Sequence, residues 1–538
     1  MDYNLTKMQE NIRAEFETML QFVSSEEAQT ATADQVERSL FHLLLSLGAQ
    51  LLLLFFQMRS QTCSRDTIIA KGQAVPYNSE QKRVYFSIFG KVSVWRPYFY
   101  STEAGGHTPL DAELSLGTDR YSDMVREIVA YLGVYVPYNK AVDIFKRILK
   151  LGVSTRVQQK FVAEDSQDVL AYYDQKPSPT ASGEAEILVV QADGKGVPII
   201  LEKSSSDPVR LGKGQKRGRK KEAIVTTVYT IAANPRTPEE VVNSFFRQNE
   251  EDKKSNPSPP KPQNKHIWAT LDGKETALAR LGQQVGPRQG AHIQHKVALA
   301  DGCEALQERL KEKFPDFTLI LDFVHANEYL WKVANSLLGE NDEQRLQWVM
   351  AQTQLMLSGQ TKQLIADFRT QAQTHTTTTV QAEKLTKTAN YFERNLNYMA
   401  YHTYLAKGWP IASGVIEGAC RHFVKDRFEL SGMRWDQPGA ENLLRLRAVA
   451  ENGDWDDYQF FRRQQRHQRL YHSPFPTWNS LETQALHLPS PTTLQPVDLD
   501  AAECIPPAHQ PFGEQKSYVI EDTAFSASSD YYLLPVSA

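Results

Sequence analysis

Apolar and polar positions follow a helical period at the start of the chain and a strand period in its middle. Residues 1–70 and 121–170 repeat apolar side chains at helical spacing, whereas residues 83–99 alternate like two strands with a turn between them. Five apolar runs between residues 184 and 323 predict further strands, and the chain from there to about 470 is helical in pattern. The pattern predicts an α+β protein with several domains.

Composition and pattern together divide the chain into four regions. The polar segment "DQKPSPTASGE" at 174–184 predicts a linker ahead of the central strands. The predicted regions are a helical N-terminal region over 1–75, a small strand element with paired helices over 80–173, a catalytic α/β domain over 184–465 with an all-helical insertion at about 335–410, and a mostly disordered tail over 472–538.

Two helical segments allow more than one interpretation. The stretch 39–58 is long enough to span a membrane, but its leucines keep a helical stripe interrupted by His42, Gln50 and Gln57. We expect a buried or dimer-forming helix and no membrane, with a membrane span as the alternative. The helices of 121–170, separated by "LGVS", resemble a DNA-binding helix-turn-helix and equally a plain helical hairpin.

Charge and cysteine usage narrow the class of protein. The 538 residues carry a formal net charge of −4, so nucleic-acid binding would have to come from local patches. The four cysteines are scattered, with neither metal-ligand spacing nor a disulfide framework, and the N-terminus lacks a signal-peptide pattern. A reducing cytoplasm is therefore expected.

The order of the five central strands restricts their topology. Three strands in succession predict an antiparallel meander, and the next two strands, each reached through a helix, should run parallel. This order resembles the ribonuclease H-like fold, a mixed sheet flanked by helices. The resemblance implies a nucleic-acid-processing catalytic core, although fold alone does not establish function.

Two of the strands end in the same three residues, Ala-Asp-Gly. The aspartates are Asp193 in "VVQADGKG" and Asp301 in "VALADG". Carboxylates next to buried apolar strands repel one another unless a cation lies between them, and oxygen ligands suit Mg²⁺ or Mn²⁺. We therefore expect a divalent-cation site, and two cations would form the arrangement used in phosphoryl transfer. The alternative is that each Asp-Gly is only a turn.

Three further residues compete for roles near these aspartates. Asp272, in "TLDG", is interpreted as a turn because its strand lies further from the centre of the sheet. Asp322, in "LILDFVHANEYLW", is a rival for the second carboxylate. With His325 it forms an Asp-x-x-His pair that could support the metal site, although a backbone group could equally satisfy His325.

The acidic residues and several long motifs give the most specific resemblance. Asp193, Asp301, the Asp322–His325 pair, a helical insertion and then Glu417 resemble the DDE transposases of the mutator and hAT type. The segments "FGKVSVWRPYF", "PLDAELSL", "YSDMVREIVAYLGVYVPYNKA", "ADGKGV" and "GVIEGACRHFVKDRFELSGMRW" resemble bacterial insertion-sequence transposases of the ISKra type, over residues 80–465. The resemblance implies that Asp193, Asp301 and Glu417 are the catalytic, metal-binding triad. It also implies a bacterial, nucleoid-associated protein. Unlike many relatives, the chain has no cysteine around "RPYFYSTEAGG", so no zinc is expected there.

Basic residues near the predicted triad are candidates for DNA contact. The segment 203–221 predicts phosphate contacts, with a solvated charge run as the alternative; its candidates are Lys213, Lys216, Arg217, Arg219, Lys220 and Lys221. Arg421 and Lys425 follow Glu417 at helical spacing and would either hold a phosphate or neutralise nearby glutamates. Arg434 and Trp435 would contact an unpaired base, with a core tryptophan as the alternative.

These expectations describe a transposase that cuts and joins double-stranded DNA at terminal inverted repeats and acts as a homodimer or higher oligomer. One alternative is a structure-selective nuclease with the same fold, which would cut without joining. A second alternative is a non-catalytic DNA-binding protein derived from a transposase, against which the presence of all three acids argues.

Overall fold

Three helices begin the chain and pack beside small antiparallel sheets. The computed structural model describes residues 5–200, 219–246, 260–339, 344–430 and 432–476; of the predicted tail over 472–538, residues 477–538 lie outside them. The helices are α1 (Leu5–Val23), α2 (Glu26–Thr30) and α3 (Ala33–Thr62), and the strands are β1 (Ile68–Ala70), β2 (Gln73–Val75), β3 (Tyr77–Ser87), β4 (Gly90–Ser101) and β5 (Gly105–His107). Strands β3 and β4 form the predicted strand pair.

Helix α3 is mostly not buried within the chain, which leaves the dimer-forming interpretation of its apolar stretch as the other expectation. A capping box at Thr32 begins the helix, and it is long and apolar enough by length and composition to cross a membrane. Only 6% of its most apolar window is buried within the chain. Its buried residues are Phe56, Gln57 and Ser60, near its C-terminal end. The helix therefore has a large open apolar surface.

A group of short helices follows, most of them in the span 121–170 predicted for the helix-turn-helix. They are α4 (Pro109–Glu113), α5 (Asp123–Tyr135), α6 (Tyr138–Leu149), α7 (Thr155–Asp165) and α8 (Val169–Gln175). Helix α6 ends at Lys150 in a left-handed conformation, and the Ser154 side chain accepts a hydrogen bond from Val157 N to begin α7. The "LGVS" segment is thus a turn between two capped helices.

The central sheet has five strands in the order β10-β9-β6-β7-β8. They are β6 (Ile187–Ile199), β7 (Arg219–Ile231), β8 (Gln263–Thr270), β9 (His295–Ala300) and β10 (Thr318–Leu321). Strands β6, β7 and β8 are antiparallel, while β9 and β10 run parallel to β6, which confirms the predicted directions. Strand β6 does not end at Asp193 as expected, because Gly194 to Ile199 continue to pair with β7.

Helices cover both faces of this sheet and fill the second half of the described chain. They are α9 (Pro238–Phe245), α10 (Lys274–Val285), α11 (Glu304–Lys313), α12 (Phe323–Leu338), α13 (Gln344–Leu357), α14 (Thr361–Ala372), α15 (Thr379–Asn395), α16 (Tyr401–Ala406), α17 (Gly414–Gly418), a π-helix (Ala419–Lys425), α18 (Asp426–Phe428), α19 (Gln437–Glu451) and α20 (Trp455–Tyr471). One face packs on α10 and α11; the other packs on α12 to α20.

Candidate active site

Three aspartates lie level with one another across three neighbouring parallel strands. Gln191 pairs with Leu299, and Ala300 pairs with Leu321. Continuing these registers places Asp193, Asp301 and Asp322 side by side, on strands about 4.8 Å apart. The register therefore brings together three acids that are up to 129 residues apart, the difference between positions 322 and 193.

The same register fixes the face of the sheet on which Asp193 and Asp301 lie. Alternate residues of a strand point to opposite faces. Val189 on β6 and Leu299 on β9 belong to the cluster that packs under α12 and the helical insertion, whereas Val190 packs in the cluster under α10 and α11. Asp193 and Asp301, in step with Val189 and Leu299, belong to the face that α12 and α17 cover.

Glu417 reaches this face from a short helix that packs on β6 and β7. The Ser413 hydroxyl donates to Glu417 Oε1 at 3.4 Å, and His325 Nε2 lies 3.7 Å from the same oxygen. The Glu417 side chain is 35% exposed, so it borders solvent while facing the sheet. The structure therefore brings Glu417 close to His325.

Asp322 is fully buried and bonded to the backbone on both sides. Its Oδ1 accepts from His325 N at 2.8 Å, which caps α12, and its Oδ2 accepts from Ser413 N. Ser413 begins the helix that carries Glu417. Asp322 thus ties the end of β10 to the start of α17, an arrangement that positions Glu417 and leaves Asp322 itself enclosed.

Asp193 is half-buried with a donor on each oxygen. Gly194 N donates to Oδ1 at 2.6 Å, and the Cys420 thiol donates to Oδ2 at 3.3 Å. Burial raises the pKa of Asp193 and the charge of Asp301 adds to this, whereas the two donors and His325 act in the opposite direction. The carboxylate is therefore short of positive charge.

Glu417 also has little positive charge around it, and the cation that lies near its carboxylate is His325. Burial and then the charge of Asp322 raise the pKa of Glu417, with a further contribution from Asp193. The hydrogen bond to Glu328, followed by the charges of Asp322, Glu328 and Glu417, raises the pKa of His325 to about 9 despite its burial. His325 is therefore an imidazolium at neutral pH, and one cation faces several carboxylates.

The chemistry of these donors suits a hard divalent cation, although their positions are not those of a formed site. Carboxylate oxygens with unbalanced charge are the ligands that Mg²⁺ and Mn²⁺ prefer. Among the described residues, no three His, Cys, Asp or Glu side chains are grouped closely enough to hold a metal ion. Asp301 instead accepts from Cys303 N at 3.0 Å in a local turn. Cation binding would have to re-aim these side chains.

The candidate DNA-contacting residues fall into several environments. Lys220 pairs with Glu429 at 2.7 Å, and Lys221 donates to Gln437. Arg421 and Lys425 are exposed on the π-helix, and Arg434 is also exposed. Lys213, Lys216, Arg217 and the side chain of Arg219 lie outside the described residues.

Trp435 takes the core position that was the alternative to base stacking. It is 7% exposed, its ring packs on Phe428 and Tyr138, and its Nε1 donates to Phe428 O at 3.2 Å. Its backbone also bonds to Pro198 and Ile200 beside β6. A ring held in this way anchors the end of β6 and presents no face to a base.

Two buried arginines near Glu417 were not identified from the sequence. Arg427 is 1% exposed and donates through Nε and Nη2 to Gly133 O on α5 at 3.0 and 2.9 Å. Arg447 donates to the carbonyls of His422 and Phe423 in the π-helix, and to Val134 O. Both residues join the helix after Glu417 to the end of α5.

The spacing of buried residues after Glu417 explains why Arg427 is buried. Buried residues recur in pairs every four positions after Glu417, at Ala419 with Cys420, Phe423 with Val424, and Arg427 with Phe428. This spacing belongs to the π-helix, which is wider than an α-helix and often occurs at functional sites. Arg427 falls in the buried series, and Arg421 and Lys425 fall in the exposed one.

Comparisons with known proteins leave the family of the chain open. No protein-family model and no curated protein matches it. A solved structure, the Drosophila P element transposase strand transfer complex, aligns with 66% of this chain and 83% of its own at 10% identity. Its TM-score of 0.22 is too low to establish a shared fold.

Proposed function

We propose that this chain is a DNA transposase whose catalytic core is a ribonuclease H-like sheet carrying Asp193, Asp301 and Glu417. The observation that carries the proposal is the level placement of Asp193 and Asp301 on adjacent parallel strands, with Glu417 on a helix over the same face. The strand order supports the fold assignment, since the meander and the two following parallel strands match the order expected of it. The long motif around Glu417 supports the transposase class.

The charge distribution of the site supports phosphoryl transfer. Burial, with a smaller contribution from neighbouring carboxylates, raises the pKa values of Asp193 and Glu417, and divalent cations would stabilise their charged forms. Two such cations would activate an attacking hydroxyl and stabilise the leaving oxygen of a DNA phosphodiester. Asp193, Asp301 and Glu417 would hold them, while Asp322 fixes the loop before Glu417.

DNA would approach from the exposed side of the π-helix. Arg421 and Lys425 are exposed a few residues beyond Glu417, and Arg434 is exposed beside them. Cations so close to a catalytic carboxylate suit contact with phosphates, which positions DNA without distinguishing its sequence. Lys220 lies at the start of β7 and is already paired with Glu429, so it would contribute less.

A strand-transfer assay with matched variants tests this proposal. Labelled fragments from the two flanks of the coding region serve as donor ends, and a supercoiled plasmid serves as target, with Mg²⁺ or with EDTA. Asp301→Asn and Glu417→Gln should bind the donor ends but neither cut nor join them. Asp272→Asn is the control, because Asp272 follows the edge strand β8 and should leave both steps unchanged.

The assay also separates the competing functions. Normal strand transfer by Asp301→Asn or by Glu417→Gln would remove the triad from the mechanism. Magnesium-dependent cutting without joining would identify a nuclease, and specific end binding without either step in the unaltered protein would identify a non-catalytic DNA-binding protein.

A further inference from the structure

Helix α3 presents a line of exposed apolar side chains with coiled-coil spacing. Successive intervals of three, seven, four and three residues separate the large exposed side chains, which are Phe41 (39%), Leu44 (54%), Leu51 (49%), Phe55 (46%) and Met58 (45%). These are the a and d positions of a heptad repeat, the pattern by which one helix packs against another. At the a position between Leu44 and Leu51 is Gly48, which the ring of Phe89 covers, so the apolar line is continuous.

Helix α1 widens this surface. It packs along α3 and also exposes large apolar side chains at helical spacing, Phe16, Leu20 and Val23. Its buried residue is Met19, which lies between Phe16 and Leu20 on the helix surface. The α1–α3 hairpin therefore offers two adjacent apolar faces, half of a four-helix bundle.

The remaining surroundings of α3 argue against a lipid environment. On its other side Phe56 packs against Val92 and Val94 of β4, and the polar residues Gln57 and Ser60 are buried there. Helix α1, which runs beside it, carries charged residues, Lys7, Glu10, Arg13, Glu15 and Glu17. A helix bound to a sheet on one side and to a charged helix on another does not meet the bilayer core on all sides.

The size and charge of the surface fit a second copy of the same chain. The five exposed side chains of α3 and the three of α1 are each roughly half exposed, and a large apolar side chain has a surface of about 200 Å². Together they offer about 800 Å² per copy, which is the area that a standard interface buries on each partner. Residues 39–58 contain no Asp, Glu, Lys or Arg, so two copies of α3 meet without charge repulsion. Self-complementary faces of this kind form two-fold symmetric dimers.

We propose that the α1–α3 hairpin is a homodimer interface in which the heptad face of α3 packs against the hairpin of a second copy. The proposal stands independently of the DNA chemistry, because no residue of the candidate active site takes part in it.

The oligomeric state of the full-length protein tests the proposal. In detergent-free buffer, light scattering after size exclusion should give twice the chain mass of 61.0 kDa. Leu51→Glu, and separately Leu44→Glu, should give monomers whose far-ultraviolet circular dichroism per residue matches that of the unaltered protein, since both side chains are exposed within one chain. The matched control is Ile148→Glu, which changes a similarly exposed apolar residue on α6 and should leave the dimer intact.

Other outcomes would overturn the interface. A monomeric unaltered protein, or dimers that survive both glutamate substitutions, would place self-association elsewhere or exclude it. Flotation of the unaltered protein with phosphatidylcholine vesicles, lost in Leu51→Glu, would assign the face to lipid.

Discussion

The acidic residues of this protein form two groups that differ in what faces them. Between α5, α7 and α20 the aspartates are paired with arginines, in the pairs Asp119–Arg126, Asp123–Arg466, Asp165–Arg462 and Asp168–Arg469. At the sheet, the cation whose charge lowers the pKa of both Asp193 and Glu417 is His325. The first arrangement holds helices together, whereas the second leaves charge to be balanced by a ligand.

The pKa shifts of Asp123 and Glu417 illustrate this difference. Burial alone would raise the pKa of Asp123, but the charges of Arg466 and Arg462 outweigh it, and the pKa falls below its usual value. For Glu417 burial and the neighbouring Asp322 raise the pKa, and His325 and Ser413 offset the rise only in part. Acids with raised pKa values in a cleft tend to mark functional sites, while acids paired with arginines tend to be structural.

The largest effect is expected from breaking the paired group. Arg126 is 5% exposed and contacts Asp119 at 2.8 Å and both Glu164 and Asp165 at 2.7 Å. Arg126→Met leaves these acids facing one another, so the free energy of unfolding should fall by about 3–5 kcal/mol. Urea unfolding followed by tryptophan fluorescence measures this, and a loss below about 1 kcal/mol would show that the network adds little.

A smaller loss is expected at the junction between the two groups. Arg427→Met removes two hydrogen bonds to Gly133 O and the contact of the guanidinium with the Trp435 ring at 4.9 Å. The expected loss in the free energy of unfolding is about 2–4 kcal/mol. Arg421→Met, on the exposed side of the same π-helix, should stay within about 0.5 kcal/mol of the unaltered protein. Equal effects of the two substitutions would contradict the buried role of Arg427.

Removing the charge of Glu417 should stabilise the protein, whereas removing an arginine from the paired group destabilises it. Because the folded-state pKa of Glu417 is raised above 4.5, its ionisation costs stability, and that cost appears as pH rises through the raised pKa. In the absence of divalent cations, Glu417→Gln should therefore stabilise the protein at pH 7. Below about pH 4 the substitution should leave the stability unchanged. The gain should be under about 1 kcal/mol, since water screens a side chain that is 35% exposed.

Thermal unfolding at pH 4 and pH 7 with EDTA measures this gain. The control is Glu103→Gln, at an exposed turn, which should change neither value. A loss of stability in Glu417→Gln at pH 7 would mean that His325 and Ser413 already balance the carboxylate.

The sequence predicts the sheet better than it predicts the partners of charged residues. Apolar runs and the helices between them determine which strands run parallel, whereas the level of Asp193 and Asp301 follows from the strand register of the structure. The extension of β6 was missed because Gly194 and Gly196 suggest a turn, yet both pair with β7. Glycine permits a turn but does not require one.

Charged residues were harder to place, because burial depends on contacts distant in the sequence. The run "RRQQRHQR" on α20 looks like a DNA-binding surface in isolation, but Arg462, Arg463 and Arg466 pair with acids on α5 and α7. Arg427 is enclosed by Gly133, Tyr138 and Trp435, of which the first two are almost 300 residues away. The local sequence pattern does not indicate which distant residues will pair.

Binding of a divalent cation at Asp193, Asp301 and Glu417 is the property on which the proposed chemistry depends. Titration of the full-length protein with Mn²⁺, followed by electron paramagnetic resonance of the free ion, compares the unaltered protein with Asp301→Asn and Asp272→Asn. The unaltered protein and Asp272→Asn should bind Mn²⁺ alike, and Asp301→Asn should lose at least about tenfold in affinity. Equal Mn²⁺ binding by all three proteins would contradict the assignment of Asp301 as a metal ligand.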